Sequence, residues 1–182
     1  MRAITLVTMG LLALAPFPAV GQGDVAAPNA NPAALPWLSH VVGSCWRAEF
    51  FEGTTRDRQC FRLQFDKVVR VEQTINTLKD GRVVSTLTAE SLYAWDPNKQ
   101  SVRHIFWASD GSFESATGLT ADDTFVLQLD RETDTQGAAP ARTVLRKLGA
   151  NSYCVTREKR QGDHWVPLFG IVYERDGLSS QS

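Results

Sequence analysis

Apolar and polar residues alternate with a period of two along most of the chain from Cys45 onward. Runs rich in β-branched and aromatic residues are separated by turn sequences such as Asp96-Pro97-Asn98 and Asp110-Gly111. This pattern is typical of short strands, and it predicts no helix of ten or more residues. The predicted strands are 45–51, 57–65, 68–76, 83–94, 101–108, 112–118, 124–130, 142–148, 152–160 and 165–174.

The short connections between these strands suit antiparallel hairpins, and no spacing typical of strand–helix–strand units occurs. We therefore predict an all-β fold, an up-and-down antiparallel β-barrel of about ten strands, because closure removes the exposed edges of a sheet. A two-sheet sandwich is the alternative. Residues 35–42 (LPWLSHVV) predict a short N-terminal helical segment against one barrel end.

The first predicted hairpin has a well-defined register. If it turns on Glu52-Gly53, Phe50 lies opposite Thr55 and Cys45 lies opposite Cys60. One face of the hairpin is then charged and the other is mainly apolar, which supports this register. The apolar face, predicted to point into the barrel, carries the aromatic residues Trp46, Phe50, Phe61 and Phe65.

Directly opposite cysteines are close enough to form a disulfide, so we expect a Cys45–Cys60 bond. Pairing of either residue with Cys154 is the alternative. A loop of this length adds about 3 kcal/mol of stability by chain-entropy reasoning. We expect a structural role, because the Cys-x-x-Cys spacing of redox pairs is absent. Cys154 is interpreted as a small buried apolar residue.

The N-terminus predicts export. A positive Arg2, an apolar run over 4–15 and small residues before position 22 predict a signal peptide over 1–21. We interpret 22–35 as a flexible leader, 36–176 as the barrel and 177–182 as a disordered tail. The apolar run is too short to span a bilayer. The expected location is the periplasm or the extracellular medium.

Composition excludes some partners. The chain has 19 basic and 20 acidic residues, a net charge of −1, and its Lys and Arg are scattered, so we expect no nucleic-acid binding. Oligomeric state is not defined by the sequence. The three histidines, His40, His104 and His164, have no metal-ligand spacing, and no nucleotide-binding or nucleophile motif occurs. We expect no metal and no cofactor.

Five segments in order resemble bacterial lipocalin-like proteins of the calycin superfamily, over about residues 35–175: LSHVVGSCWRAEF, QCF, SLYAWDP, HIFWASDGSFESATG and GDHWVPLFGIVYER. The resemblance implies a barrel of eight to ten antiparallel strands with an interior open at one end. Gly43 and Trp46 are separated by two residues, whereas lipocalins have Gly-x-Trp. Haem-binding barrels of the nitrobindin type have a histidine near the position of His164, but their opening motif is absent, so haem is not expected.

Aromatic placement is the main functional clue. The predicted interior candidates are those of the first hairpin, His104 in mid-strand, and one face of the last strand: Trp46, Phe50, Phe61, Phe65, His104, Trp165, Phe169 and Tyr173. These rings either line a small-molecule cavity or fill the core.

Three functional hypotheses follow. The first is binding of a small hydrophobic or aromatic molecule inside the barrel. The second is an enzyme, such as an isomerase, cyclase or hydrolase, in which an inward His104 works with Glu90 or Glu114. For His104 the alternative is a hydrogen-bonded or solvent-facing side chain, and for Glu90 it is outward exposure. The third is a partner-binding module, which would need a large exposed apolar patch.

Overall fold

The computed structural model describes residues 36–121, 123–130 and 140–177, and it confirms the predicted short helix and ten strands. The signal peptide, the leader and residues 178–182 of the predicted tail lie outside the described residues. The elements are α1 (Pro36–Val41), β1 (Cys45–Phe50), β2 (Thr55–Gln64), β3 (Val68–Lys79), β4 (Arg82–Asp96), β5 (Ser101–Ala108), β6 (Phe113–Ala121), β7 (Thr124–Leu129), β8 (Ala141–Gly149), β9 (Ser152–Gln161) and β10 (His164–Arg175).

Each strand pairs with its neighbours in sequence, and β10 returns to β1, so the sheet closes into an antiparallel barrel. This closure confirms the barrel and excludes the two-sheet sandwich. The closing ladder is short: its register joins Trp46 to Arg175 and Arg47 to Glu174. The N–H of Asp176 also donates to the carbonyl of Cys45 at 2.8 Å. The earlier part of β10 extends beyond this ladder.

The first hairpin has the predicted register. Phe50 lies opposite Thr55 and Cys45 opposite Cys60. The predicted Cys45–Cys60 disulfide is formed, so it links the first residue of β1 to β2. Cys154 is a free cysteine of intermediate burial, not a fully buried one.

Phe65 does not lie on the interior face, which corrects the sequence interpretation. Strand β2 ends at Gln64, and Phe65 begins the turn to β3. Phe65 and Asp66 both adopt positive φ angles, 52° and 54°. This left-handed backbone breaks the alternation of faces, and the Phe65 side chain is 89% exposed.

The last strand contains an irregularity that the sequence interpretation missed. Trp165, Phe169 and Tyr173 were predicted to share one face, but the register of β10 against β9 shifts between Pro167 and Phe169. A β-bulge adds one residue, so the alternation of inward and outward side chains shifts by one position across it. Residues separated by four positions across the bulge therefore lie on opposite faces. Trp165 consequently lies on the outer face, where the Arg142 guanidinium stacks over its ring at 4.3 Å.

Helix α1 fills one end of the barrel, called here the helix end. Trp37, Leu38 and Val41 have no solvent exposure. The Trp37 ring stacks on Phe125, with centroids 5.4 Å apart, and contacts the edge of the Tyr153 ring. The predicted placement of this segment against a barrel end is confirmed. The other end, called the far end, carries the turns at 51–54, 80–81, 109–112 and 162–163.

Replacing Trp37 by Ala should destabilise the barrel by about 3–5 kcal/mol, because it removes a fully buried ring that many core residues contact. Trp107, which is 37% exposed on the outer wall, is the control. Trp107→Ala should cost about 1 kcal/mol or less. Urea unfolding of the two variants measures the difference, and equal losses would contradict the role of Trp37 as the filling of the helix end.

Candidate functional site

The interior near the helix end is packed with aromatic rings. Beside Trp37, the inward-facing Trp46 and Phe61 are buried, and the Tyr153 and Tyr173 rings stack in parallel with centroids 4.9 Å apart. The Trp46 indole N–H donates to the Val41 carbonyl at 3.3 Å, which ties β1 to the helix. These side chains fill the core, so a ligand has no room at this end.

A layer of polar side chains lies next to this aromatic core. We call it the Asp57 cluster, and it consists of Asp57, Gln59, Gln73, Tyr153 and Tyr173. Asp57 Oδ2 accepts hydrogen bonds from the Tyr173 hydroxyl at 2.6 Å, from Gln73 Nε2 at 2.7 Å and from Gln59 Nε2 at 3.3 Å. Gln59 Nε2 also donates to the Tyr173 oxygen, and the Tyr153 hydroxyl donates to Gln59 Oε1. The hydrogen bonds that Asp57 receives from these side chains therefore all end on one carboxylate oxygen, Oδ2.

The second oxygen of Asp57 is left without a partner. Asp57 is 3% exposed, and Oδ1 is buried with no hydrogen bond in the described part of the chain. Burial raises the pKa of Asp57, and the hydrogen bonds from Tyr173, Gln73, Gln59 and the backbone N–H of Arg58 only partly oppose this shift. A buried acceptor that lacks a donor costs about 1–3 kcal/mol. Such a group needs an explanation, and a functional role is one of the explanations.

His104 points inward, but the enzyme hypothesis also required a partner within hydrogen-bond reach of it. It lies opposite Tyr93 on β4, and the two rings are 4.6 Å apart. The imidazole is 5% exposed, and its Nδ1 has no hydrogen-bond partner among the described residues. Burial lowers the pKa of His104 to about 4. The side chain is therefore neutral at physiological pH.

The two carboxylates proposed to work with His104 lie on different faces. Glu90 is on the outer wall, where it accepts a hydrogen bond from Arg70 at 2.6 Å, so the outward alternative is confirmed. Glu114 lies opposite Phe106 and faces the interior. Its carboxylate accepts a hydrogen bond from Arg157 at 3.1 Å, and Arg157 also donates to Thr143. This interior ion pair is largely shielded from water, with side chains 17% and 28% exposed.

The interior toward the far end is different from the packed core. Several apolar side chains there share the inward face of their strands with fully buried residues, yet each is partly exposed. This set, called the open half, consists of Phe50, Ile75, Leu87, Phe106 and Ile171. Inward-facing residues of a barrel reach water through an open end or through a gap in the wall, such as the one beyond the short ladder between β1 and β10. The barrel is thus filled at the helix end and accessible toward the far end.

Phe169 lies beside the open half and is more exposed than its inward direction suggests. It is opposite Arg157 and past the bulge, so it faces the interior, but it is 44% exposed. It lies in the part of β10 beyond the short ladder to β1. Phe169 contacts water because no residue of β1 is paired with this part of β10.

The outer wall carries a small apolar patch, which we call the outer patch. Trp107 and Phe113 are opposite each other on β5 and β6, and Ile105 lies two residues away on the same face. Their exposures are 37%, 52% and 37%, respectively. The patch is the nearest equivalent to the surface that a partner-binding module would need.

The predicted interior candidates therefore divide into three groups. Trp46, Phe61, His104 and Tyr173 are buried inside the barrel, and Phe50 and Phe169 face its accessible part. Phe65 and Trp165 lie outside. The sequence interpretation overlooked Asp57, Gln73, Trp37 and Tyr153. The predicted hairpin register already placed Asp57 opposite Ala48, on the apolar face, so a charged residue at an inward position was the available signal.

Further findings bear on the site. No group of three or more potential metal-binding side chains occurs in the described residues. The described part of the chain contains no helix long and apolar enough to cross a membrane. No protein-family model matches the chain, and no curated protein sequence matches it significantly.

The buried neutral state of His104 predicts a pH-dependent stability. Its pKa is about 4 in the folded protein and 6.5 when unperturbed, so the unfolded chain takes up a proton first as the pH falls. Stability due to His104 is complete above pH 6.5 and decreases below it, by about 2 kcal/mol at pH 5. His104→Phe keeps the ring and removes the proton-binding site.

Urea unfolding at pH 7.5 and pH 5 should therefore show a loss of stability on acidification that is about 2 kcal/mol smaller in His104→Phe than in the wild type. Other titrating groups, including His40, contribute equally to both proteins. Equal losses in the two proteins would show that His104 is not buried in the neutral form.

Proposed function

We propose that this protein is an exported, lipocalin-like barrel that binds a small apolar or aromatic molecule in its interior. One observation carries the proposal: the apolar residues of the open half face the interior and are nevertheless in contact with water. Contact of apolar surface with water costs about 25 cal/mol of free energy per Å², and a bound apolar ligand would remove that cost by covering the surface. Ten strands also give a wider interior than the eight strands of small barrels.

The architecture supports a relationship to the calycins. An up-and-down antiparallel barrel that is filled at one end by a short helix and accessible at the other agrees with what the sequence resemblance implied. The segment from Trp37 to Trp46, with the helix followed directly by β1, lies at the closed end. We assign the protein to this superfamily as part of the proposal.

Export is supported by the disulfide. The Cys45–Cys60 bond joins two neighbouring strands, and structural disulfides persist in oxidising compartments. Together with the predicted N-terminal signal sequence, it favours the periplasm or the extracellular medium. The proposed binding would then act on molecules that are encountered outside the cytoplasm.

Acid–base catalysis on a bound apolar molecule is the second candidate function. A specific observation favours it: the buried Asp57 has a raised pKa and lies in a hydrogen-bonded network with two tyrosines. A carboxyl group in this state suits proton transfer. Binding is the simpler proposal, because it needs only the accessible apolar interior. Turnover of a bound molecule would favour the enzyme.

The binding proposal predicts that an arginine in the open half reduces affinity for a neutral apolar probe. Leu87→Arg should weaken binding of 2-(1-naphthyl)ethanol at least about tenfold. The long arginine side chain occupies space that the ligand needs, and its charge is costly to bury beside an apolar molecule. Isothermal titration calorimetry measures the affinity.

Val84→Arg is the matched control. Val84 is on the same strand, β4, but is 60% exposed, so the variant should bind within about twofold of the wild type. Equal weakening in both variants, or no change in Leu87→Arg, would contradict an interior site. Binding lost only when Trp107 is replaced would instead place the probe on the outer patch.

A further inference from the structure

The Asp57 cluster indicates the chemistry of the ligand's polar end. We propose that the interior site takes an organic amine: its protonated nitrogen pairs with Asp57, and its apolar body lies in the open half. This inference rests on the proposed function, since it specifies the substrate class of the same interior site.

The hydrogen-bond directions in the cluster show that Asp57 Oδ2 acts only as an acceptor, as an oxygen of an ionised carboxylate does. Gln59 uses its amide oxygen to accept from Tyr153, so its nitrogen donates to Tyr173 and to Asp57. Tyr173 accepts this bond and donates its single proton to Asp57 Oδ2 at 2.6 Å. That distance lies in the range for a hydroxyl donating to an ionised carboxylate. All the donors thus stabilise a carboxylate.

No cation accompanies this carboxylate in the described part of the chain. The donors to Asp57 are a phenol, two side-chain amides and the backbone N–H of Arg58, which are all neutral groups. The other interior carboxylate, Glu114, differs because Arg157 pairs with it at 3.1 Å. Buried charges are normally paired, since desolvation of an unpaired ion is costly. Asp57 lacks a counter-ion, and its Oδ1 also lacks a donor. The ammonium group of a bound amine would supply both the counter-ion of Asp57 and the hydrogen-bond donor to Oδ1.

The position of Asp57 connects it to the open half. Asp57 lies directly opposite Ile75, a residue of the open half. Gln59 and Gln73 face inward on the side of Asp57 toward the helix end, and both are partly exposed, so the accessible interior extends to this depth. Oδ1 itself touches no solvent, so an amine reaches it through small movements of the side chains that separate it from the accessible interior. An amine seated there directs its apolar body toward Ile75 and Leu87.

Three probes with the same naphthalene body test the inference: 2-(1-naphthyl)ethylamine, 2-(1-naphthyl)ethanol and 1-naphthylacetic acid. At neutral pH they present a cationic, a neutral and an anionic end. Calorimetry on the wild type should give the amine at least about tenfold higher affinity than the alcohol, because a charge-assisted hydrogen bond replaces a neutral one. The acid should bind most weakly, since its charge is repelled by Asp57.

Asp57→Asn should reduce the amine-to-alcohol affinity ratio to within about threefold of one, because the charge is removed while the shape is kept. Binding of the alcohol should persist. Asp66→Asn is the control: it makes the same change at an exposed turn residue and should leave the ratio unchanged. If Asp57→Asn does not fold, carbon-13 NMR of the wild type replaces it. The amine should shift the Asp57 carboxyl signal, and the alcohol should shift it much less.

The outcomes separate the two proposals. If the alcohol binds but the wild type shows no preference for the amine, the inference is overturned and the binding function stands. The same holds if the preference survives in Asp57→Asn, or if the NMR signal of Asp57 is insensitive to the amine. If none of the three probes binds, the proposed function itself fails, and the inference fails with it.

Discussion

The packing of Trp37 into the helix end is the interaction on which the rest of the structure depends. A ten-stranded barrel encloses more volume than the side chains of its strands fill, so part of the interior needs another source of apolar surface. The helix supplies it through Trp37, which stacks on Phe125 and meets Tyr153 edge-on. Filling one end in this way provides a stable core. The other end does not need to be filled and is available for a ligand.

The Asp57 cluster marks the boundary between the two parts of the interior. Tyr153 and Tyr173 stack within the aromatic core and direct their hydroxyl groups toward Gln59 and Asp57. Rings that stabilise the core therefore also hold the polar groups of the candidate site in place. This arrangement explains why a costly buried carboxylate is tolerated: its network is supported by the best-packed part of the protein. The unpaired Oδ1 is the one feature that the network leaves unsatisfied.

The sequence predicts the fold well where local patterns determine it. Alternation and turn residues locate every strand, and the charged and apolar faces of the first hairpin determine its register and the Cys45–Cys60 disulfide. The errors have local backbone causes. Phe65 is in a left-handed turn instead of a strand, and the bulge after Pro167 moves Trp165 to the outer face. A bulge leaves no clear trace in the spacing of apolar residues when both faces of a strand are apolar.

The candidate site was less predictable because its members come from four strands. Asp57 and Gln59 are on β2, Gln73 is on β3, and Tyr153 and Tyr173 are on β9 and β10. Their hydrogen bonds join residues up to 116 positions apart, which no local pattern reveals. Aromatic spacing found part of the interior, including Tyr173, but it could not separate rings that fill the core from those that line the accessible part. That difference depends on where the helix lies.

A crystal structure of the protein with bound 2-(1-naphthyl)ethanol tests the central claim most directly. We predict that the naphthalene ring lies inside the barrel, in contact with Leu87 and Phe106, with Trp37 still filling the helix end. A ring bound on the outer patch at Trp107 and Phe113 would contradict the account. So would an interior in which the side chains of the open half pack against one another and leave no space for the probe.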